Sequence, residues 1–264
     1  MHLSRTDKLV YALPAIPLAV IGIPVYVYLP KFYTDTIGLD ISIIGILLMA
    51  VRLFDAVTDP VIGYLSDRTP GRFGRRKPYI AIGALGLALS ILFLFRPMAY
   101  FGDLSGTPLT YYFGFWLFTL FFFWTVITIP YESLGPELTP DYHERTSLFA
   151  FRDGFLIVGT LLAAAFPVLI DGVMKLWGKI PSETQRFSLM AFFFAPMIVI
   201  FSVYCIHKIT EPFSGHTGDH HTLGFKTVFK NRPFLILITA FAVSAFGSNL
   251  PATLILYYVE YVLE

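Results

Sequence analysis

The chain has 264 residues, of which 56% are hydrophobic and only 14% are charged. A soluble domain carries about 25% charged residues, so this composition excludes a water-soluble globule, and the large apolar content excludes a disordered chain. A single cysteine excludes a disulfide-stapled fold, and a net charge of +1 gives no indication of a nucleic-acid partner. We therefore predict a membrane protein that lies in the lipid bilayer.

Seven apolar stretches are long enough to cross a bilayer, which takes about 20 residues. Outer-membrane strands alternate polar and apolar residues, whereas a run such as Tyr79 to Phe95 is apolar on every face. The sequence therefore predicts an all-α membrane protein with seven transmembrane helices. They lie near residues 9–33, 41–66, 78–97, 109–138, 147–171, 186–207 and 233–263.

The lysines and arginines of the short connections predict the orientation in the membrane. Most of them fall on the side that holds the N-terminus, and such residues stay preferentially in the cytoplasm. The first apolar run is too long for a cleavable signal peptide. We therefore expect a multi-pass protein of the cell membrane, the inner or plasma membrane, with a cytoplasmic N-terminus.

The chain changes character near residue 208, where six closely spaced helices are followed by a polar stretch. We predict an N-terminal six-helix bundle over 1–208, a cytoplasmic linker over 209–231, and a seventh helix over 232–264 that begins an incomplete second bundle. One helix cannot form a bundle, so either a C-terminal half is missing or the helix pairs with something else. We expect no metal site at the histidines of the linker, which lack a cysteine partner: His216, His220 and His221.

Helices one and four are rich in proline, which removes a backbone hydrogen bond and allows bending. Broken helices are tolerated in membranes where they line a polar cavity or a moving interface, so we expect both helices to be cavity walls. Tyr26, Trp124 and Tyr131 could stack there on a sugar ring, and plain packing is the alternative. The prolines are Pro14, Pro17, Pro24 and Pro30 in helix one and Pro130, Pro136 and Pro140 in or after helix four.

Helix two carries three ionisable residues inside the predicted membrane span, Arg52, Asp55 and Asp59. Their spacing of three and four residues places them on one stripe of the helix, with a net charge near −1 when all are ionised. We interpret the stripe as a site for one monovalent cation or one proton, to which Thr58 and Thr125 could add neutral oxygens. The alternative is a structural ion pair, which stabilises a helix bundle poorly compared with apolar packing.

Two further groups are candidates for the membrane interior. Glu132 lies on helix four, and Arg152 with Asp153 opens helix five. Glu132 could take part in binding, or it could simply reach the membrane surface or pair with Arg152.

The connection between helices two and three combines glycines, an aspartate and arginines in a fixed order, from Asp59-Pro-Val-Ile-Gly to Gly-Arg-Arg-Lys-Pro78. This segment resembles the signature loop of the major facilitator superfamily. We expect the loop from Gly63 to Lys77 to act as an inner latch, in which Asp67 and Arg68 each pair with residues of other helices in the outward-facing state. With Arg52 of helix two, the predicted coupling or gating set is Arg52, Gly63, Asp67, Arg68, Gly74, Arg75 and Arg76.

A closer resemblance is to the glycoside-pentoside-hexuronide cation symporters, the melibiose permease group. It is carried by Phe32-Tyr-Thr-Asp-Thr-Ile-Gly-Leu39, by Arg52-x-x-Asp55-x-x-x-Asp59-Pro60, by Arg72-Phe-Gly-Arg-Arg-Lys-Pro78 and by Ile129-Pro-Tyr-Glu-Ser-Leu-Gly-Pro136. It implies the N-terminal six-helix bundle of a twelve-helix protein plus the first helix of the C-terminal bundle.

The same resemblance implies a cation site at Asp55, Thr58, Asp59 and Thr125, although the melibiose permease usually has an asparagine where this chain has Thr58. Two aspartates that bind melibiose in the family fall on Ala19 and Thr128 here, so the cation site is retained and the galactoside-binding pair is not. We predict a solute-binding set of Tyr26, Trp124, Thr128, Tyr131, Glu132 and Arg152.

We therefore expect a secondary symporter, not an enzyme, that couples a sugar, glycoside or related organic solute to Na⁺, Li⁺ or H⁺ by alternating access. No covalent cofactor is expected, and no metal other than the coupling ion. A non-transporting fragment or scaffold and a seven-helix receptor are the alternatives. A retinal protein is excluded, because the last helix, from Pro233 to Glu264, contains no lysine.

Overall fold

The computed structural model describes residues 3–69, 73–97, 99, 102, 105–211, 231–241, 243, 244 and 247. The chain divides into two compact units, Met1–Phe213 and Ser214–Glu264. The finer division at residues 208 and 231 stays a prediction, because most of the linker lies outside the described residues.

Six helices of the first unit are long and apolar enough to cross a membrane, which confirms the predicted all-α class and the first six spans. In the second unit the described residues include an apolar helix, α7 (Arg232–Phe241). Most of the remainder of the seventh predicted helix, as well as the three linker histidines, lies outside the described residues. The six spans are α1 (Arg5–Ile37), α2 (Ile41–Arg68), α3 (Lys77–Leu94), α4 (Gly106–Leu138), α5 (Tyr142–Leu176) and α6 (Glu183–Lys208).

Helix α1 is broken, as its prolines predicted. It is α-helical over Arg5–Ala12 and Ala15–Ile23, and it widens into π-helix over Pro24–Tyr28 and Phe32–Ile37. Proline cannot donate the backbone hydrogen bond that an α-helix needs at that position, and π-turns are frequent at functional sites. Helix α4, in contrast, continues through Pro130 and Pro136 without interruption.

Helix α2 begins at a defined cap. The Asp40 carboxylate accepts a hydrogen bond from the backbone N–H of Ser42 at 2.7 Å, which satisfies one of the free amides at the helix N-terminus. This hydrogen bond lowers the pKa of Asp40, which lies between two membrane spans. The preceding helix ends at Gly38, whose φ of +88° is favoured only by glycine.

Helix α3 packs against α4 and α6, while α1 packs against α5 and α2 against α4. A Cβ atom at Gly83 would come within 2.7 Å of the Ile127 backbone nitrogen, so a glycine is needed for this approach of α3 to α4. Helices α2 and α5 are the least buried of the six spans. The ionisable residues Arg52, Asp55 and Asp59 thus lie on a helix at the edge of the bundle.

Candidate cation and solute site

The charged stripe of α2 contains one loose ion pair. Arg52 Nη1 lies 3.7 Å from Asp55 Oδ2, and 61% of the Arg52 side chain is exposed. Charge-assisted hydrogen bonds between nitrogen and oxygen measure about 2.7–2.9 Å. The guanidinium therefore holds this carboxylate weakly and remains accessible to another group.

The second carboxylate of the stripe is tied to α4. Thr125, which is buried, donates its hydroxyl to Asp59 Oδ1 at 2.8 Å. This bond orients the Asp59 carboxylate and joins the two helices. It also brings together two of the residues that the sequence assigned to a cation site, from positions 66 residues apart in the chain.

Asp55 has one oxygen that the protein does not satisfy. Its Oδ1 atom is buried and has no hydrogen-bond partner among the described residues. A buried polar atom without a partner costs free energy, and such atoms call for an explanation by a ligand, a water or an ion. A carboxylate oxygen of this kind is the ligand type that hard cations prefer.

Thr58 lies between the two aspartates in sequence, and its hydroxyl donates to the backbone of its own helix. The acceptors are the carbonyl oxygens of Phe54 at 3.1 Å and Asp55 at 3.4 Å. The lone pairs of the hydroxyl oxygen are still available to a cation, so the predicted role of Thr58 as a ligand stays a prediction.

An aromatic cluster lies beside Arg52. The guanidinium carbon is 4.6 Å from the centre of the Tyr26 ring and 5.8 Å from that of Phe121. Trp124 stacks on Phe121 at 5.9 Å and lies 6.5 Å from Tyr26. The structure therefore brings two predicted solute residues, Tyr26 and Trp124, together with Arg52.

The sequence analysis did not assign Phe121 to the site, although its helical spacing from Trp124 indicates that it belongs there. It precedes Trp124 by three residues on α4, and residues three apart share a face of a helix. Because Phe121 is one of many aromatic residues on α4, the spacing could not distinguish it before the packing of α1 and α2 was known.

Tyr131 occupies a different environment from the other two predicted aromatic residues. Its ring is buried and stacks on Tyr11 at 5.0 Å, and its hydroxyl donates to the Tyr11 carbonyl at 2.7 Å. Tyr11 in turn donates to the Tyr131 carbonyl at 3.3 Å. These contacts join α1 to α4, and the role of Tyr131 in solute binding stays a prediction.

The remaining predicted solute residues are not joined into one cluster by the contacts described. Thr128 Oγ1 is buried without a hydrogen-bond partner among the described residues. Glu132 is exposed, and Arg152 pairs with its neighbour Asp153 at 2.8 Å rather than with Glu132. Thr128 therefore has a free hydroxyl to offer a solute.

The predicted coupling and gating residues other than Arg52 lie toward the C-terminal end of α2 and in the loop that leads into α3. Asp67 on α2 pairs with Arg76, the N-cap residue of α3, at 2.7 Å. Arg68 instead turns back along α2 and bonds to the Tyr64 hydroxyl. Gly63 faces α4, where a Cβ would contact the Ile129 side chain at 3.6 Å.

The two arginines of the latch converge on α4. Arg76 Nη2 lies 3.0 Å from Glu137 Oε1, and Arg75 pairs with the same oxygen. Arg76 also donates to the Ser133 carbonyl. We call Asp67, Arg75, Arg76 and Glu137 the loop clamp, because they join the ends of α2, α3 and α4.

Six helices long and apolar enough to cross a membrane, with carboxylates inside one of them, define the class of the molecule as a multi-pass membrane protein. A model of the MFS/sugar transport protein family matches residues 10–264. The chain belongs to this family, which confirms the resemblance to the symporter group noted from its motifs and the expectation that it is not an enzyme. Within the described residues, no three of His, Cys, Asp and Glu are grouped as a metal site.

Several curated proteins are similar over most of the chain. The uncharacterized symporter YnaJ of Bacillus subtilis is 28% identical over 99% of this chain and 56% of its own length. The putative glycoside/cation symporter YagG of Escherichia coli is 28% identical over 100% and 56%. The putative sulfoquinovose importer of Salmonella typhimurium is 28% identical over 90% and 50%. The chain therefore spans about half the length of the curated relatives that it matches.

Proposed function

We propose that the chain forms the cation-binding half of a symporter that couples a sugar or glycoside to Na⁺, Li⁺ or H⁺ by alternating access. The observation that carries the proposal is the pair of carboxylates on α2. Asp55 presents a buried oxygen without a partner, and Asp59 is oriented by Thr125. One cation between them would neutralise their repulsion and supply the missing partner of Asp55.

The solute class follows from the aromatic cluster and from the relatives. Tyr26 and Trp124 offer apolar ring faces next to the exposed guanidinium of Arg52, which can donate hydrogen bonds to hydroxyl groups. Two of the relatives bear the names of a glycoside/cation symporter and a sulfoquinovose importer. We infer a sugar-like solute that lies against these rings.

Arg52 connects the two parts of this proposed mechanism. It lies against Tyr26 and is loosely paired with Asp55. A cation that draws the Asp55 carboxylate toward Asp59 would release the guanidinium toward the solute. Cation and solute would then raise each other's affinity by the same factor, as thermodynamic linkage requires.

The same proposal includes an orientation and a second half. The N-terminus and the loop clamp would lie on the cytoplasmic side of the cell membrane, as the positive-inside rule predicts. A second helical bundle, whether in the same polypeptide or a partner, would complete the transport path, since transporters of this kind rock two halves around a central site.

The test is the unfolding temperature of the purified protein in detergent, compared in Na⁺, Li⁺, K⁺ and choline at fixed ionic strength. A ligand at 100 times its Kd stabilises the folded state by about 2.7 kcal/mol, which corresponds to about 5–10 °C for a chain of this size. We expect this shift in Na⁺ or Li⁺, and its loss in Asp59→Asn. Asp35→Asn, an exposed carboxylate on α1, is the matched control and keeps the shift.

Two other outcomes decide between the remaining possibilities. If the unfolding temperature does not change with the cation, but changes with pH in wild type and does not change with pH in Asp59→Asn, proton coupling at the same site is favoured. If the unfolding temperature changes with neither the cation nor the pH, the support for a symporter is removed.

A further inference from the structure

The end of α6 contacts the loop that leads into α3. The Glu211 carboxylate accepts hydrogen bonds from the backbone N–H groups of Arg75 at 3.2 Å and Arg76 at 3.3 Å. It lies 3.8 Å from Arg75 Nε, and only 6% of the Glu211 side chain is exposed. Sequence analysis placed Glu211 in a linker and assigned it no role.

The loop is shaped around this carboxylate. Gly74 has a φ of +95°, a conformation that residues with a side chain rarely adopt. A Cβ atom at Gly74 would collide with the carboxylate of Glu211. Both the backbone conformation and the space at this position therefore require glycine when Glu211 is in place.

Glu211 also provides a hydrogen-bond acceptor at the N-terminus of α3. The N-cap residue Arg76 makes no side-chain cap hydrogen bond. A helix N-terminus carries a partial positive charge, which favours a carboxylate, and hydrogen bonds to an ionised group are stronger than neutral ones. The cap of α3 is thus provided by a residue 135 positions away in the chain.

The two backbone groups that Glu211 binds belong to the arginines of the loop clamp. Arg75 and Arg76 reach Glu137 on α4, and Arg76 reaches Asp67 on α2. A contact that fixes the backbone of both arginines fixes the points from which their side chains leave the loop. The strength of the loop clamp therefore depends on a residue that is not a member of its ion pairs with α2 and α4.

We propose that Glu211 is a positioning residue, which holds Arg75 and Arg76 in the loop clamp and so joins the end of α6 to the ends of α2, α3 and α4. Release of the Glu211 contact opens this end of the bundle. The assignment of that opening to a transport cycle rests on the proposed function, whereas the positioning role does not.

The reactivity of the Cys205 thiol can be used to measure this opening. Cys205 is the single cysteine of the chain, it is fully buried on α6, and it lies six residues before Glu211 in the sequence. The experiment measures the rate at which N-ethylmaleimide alkylates Cys205 in the purified protein, in choline and well below the unfolding temperature, by mass spectrometry. Alkylation of a buried thiol requires a local opening.

We expect Glu211→Ala to raise the alkylation rate about tenfold or more, because charge-assisted hydrogen bonds contribute on that scale. Glu211→Gln keeps an oxygen acceptor and loses the charge, so it restores part of the protection. The matched control is Glu183→Ala, which removes a carboxylate from the opposite end of the same helix and leaves the rate unchanged within about twofold. Equal rates in wild type and Glu211→Ala overturn the proposal.

A second variant keeps the test decisive if Glu211→Ala does not fold. Gly74→Ala retains Glu211 and displaces its carboxylate, so it must also accelerate alkylation of Cys205, and a wild-type rate would overturn the proposal. Repeating the measurement in the cation, or over the pH range, that changes the unfolding temperature of the wild type tests the link to transport separately. A wild-type rate that responds to this change, with no response in Asp59→Asn, supports this link, and a rate independent of it overturns the link.

Discussion

Thr125 places a neutral hydroxyl against a carboxylate at the interface of α2 and α4. In the proposed site it has two tasks, to orient Asp59 and to lend its oxygen to the cation. Both tasks depend on one atom, Oγ1. A substitution that removes this atom and keeps the shape of the side chain separates the site from the packing around it.

We expect Thr125→Val to destabilise the protein by about 2 kcal/mol, because it leaves Asp59 Oδ1 without its donor. We also expect it to weaken the stabilisation by Na⁺. The measurement is the unfolding temperature with and without Na⁺. Thr119→Val is the matched control, since the Thr119 hydroxyl bonds to the Phe115 carbonyl of the same helix. An equal effect of both variants on the Na⁺ response would contradict this role of Thr125.

At the scale of single elements, α2 depends on its N-cap. The hydrogen bond from Ser42 lowers the pKa of Asp40 from its ordinary value of 3.8. A carboxylate with a lowered pKa stabilises the fold above its unfolded-state pKa, and this stabilisation disappears as the pH falls through the lower, folded-state pKa.

We therefore expect Asp40→Ala to lower the unfolding temperature at pH 7, with a difference from wild type that shrinks as the pH falls below about 4. The measurement is the unfolding temperature of both proteins between pH 7 and pH 3. Asp35→Ala removes an exposed carboxylate five residues earlier and no N-cap, so it serves as the control. A difference that stays constant down to pH 3 would contradict the role of the ionised cap.

The elements themselves could be predicted from the sequence because each depends on local information. Hydropathy predicted the six spans of the first unit, and the prolines predicted the broken α1. The stripe of Arg52, Asp55 and Asp59 follows from helical periodicity alone.

The partners across helices could not be predicted in this way. The sequence suggested that Asp67 and Arg68 pair across helices, but it did not name their partners. Asp67 reaches Arg76 at the start of α3, whereas Arg68 bonds to Tyr64 on its own helix. The contacts of Glu211 join residues 135 positions apart. Such pairs depend on how the helices cross and on where loops begin, which the periodicity of one helix does not contain. The sequence analysis offered Thr125 as a neutral oxygen ligand, and the resemblance implied the same position, but its bond to Asp59 could be seen only from the packing of α2 on α4.

At the scale of the whole molecule, the bundle depends on the close approach of α3 to α4. We expect Gly83→Ala to destabilise the protein by about 1–3 kcal/mol, because the added methyl group meets the backbone of α4 at Ile127 and forces the helices apart. The measurement is the unfolding temperature in detergent.

The control for this prediction is Gly172→Ala on α5, where an added Cβ meets nothing within 4 Å. Alanine forms helices better than glycine, so this variant is expected to be as stable as wild type or more stable. An unchanged unfolding temperature in Gly83→Ala would show that α3 can shift without cost.

The position of Trp124 in the aromatic cluster has an optical consequence. The chain contains three tryptophans. Trp116 stacks on Phe93 at 4.2 Å, away from the charged stripe, and Trp177 is exposed at the end of α5. Replacing Trp116 and Trp177 by phenylalanine would leave Trp124 as the single indole emitter, beside Phe121 and Tyr26 and close to the Arg52 cation. Its emission spectrum would then report, without any added label, each change in the charge that surrounds the stripe.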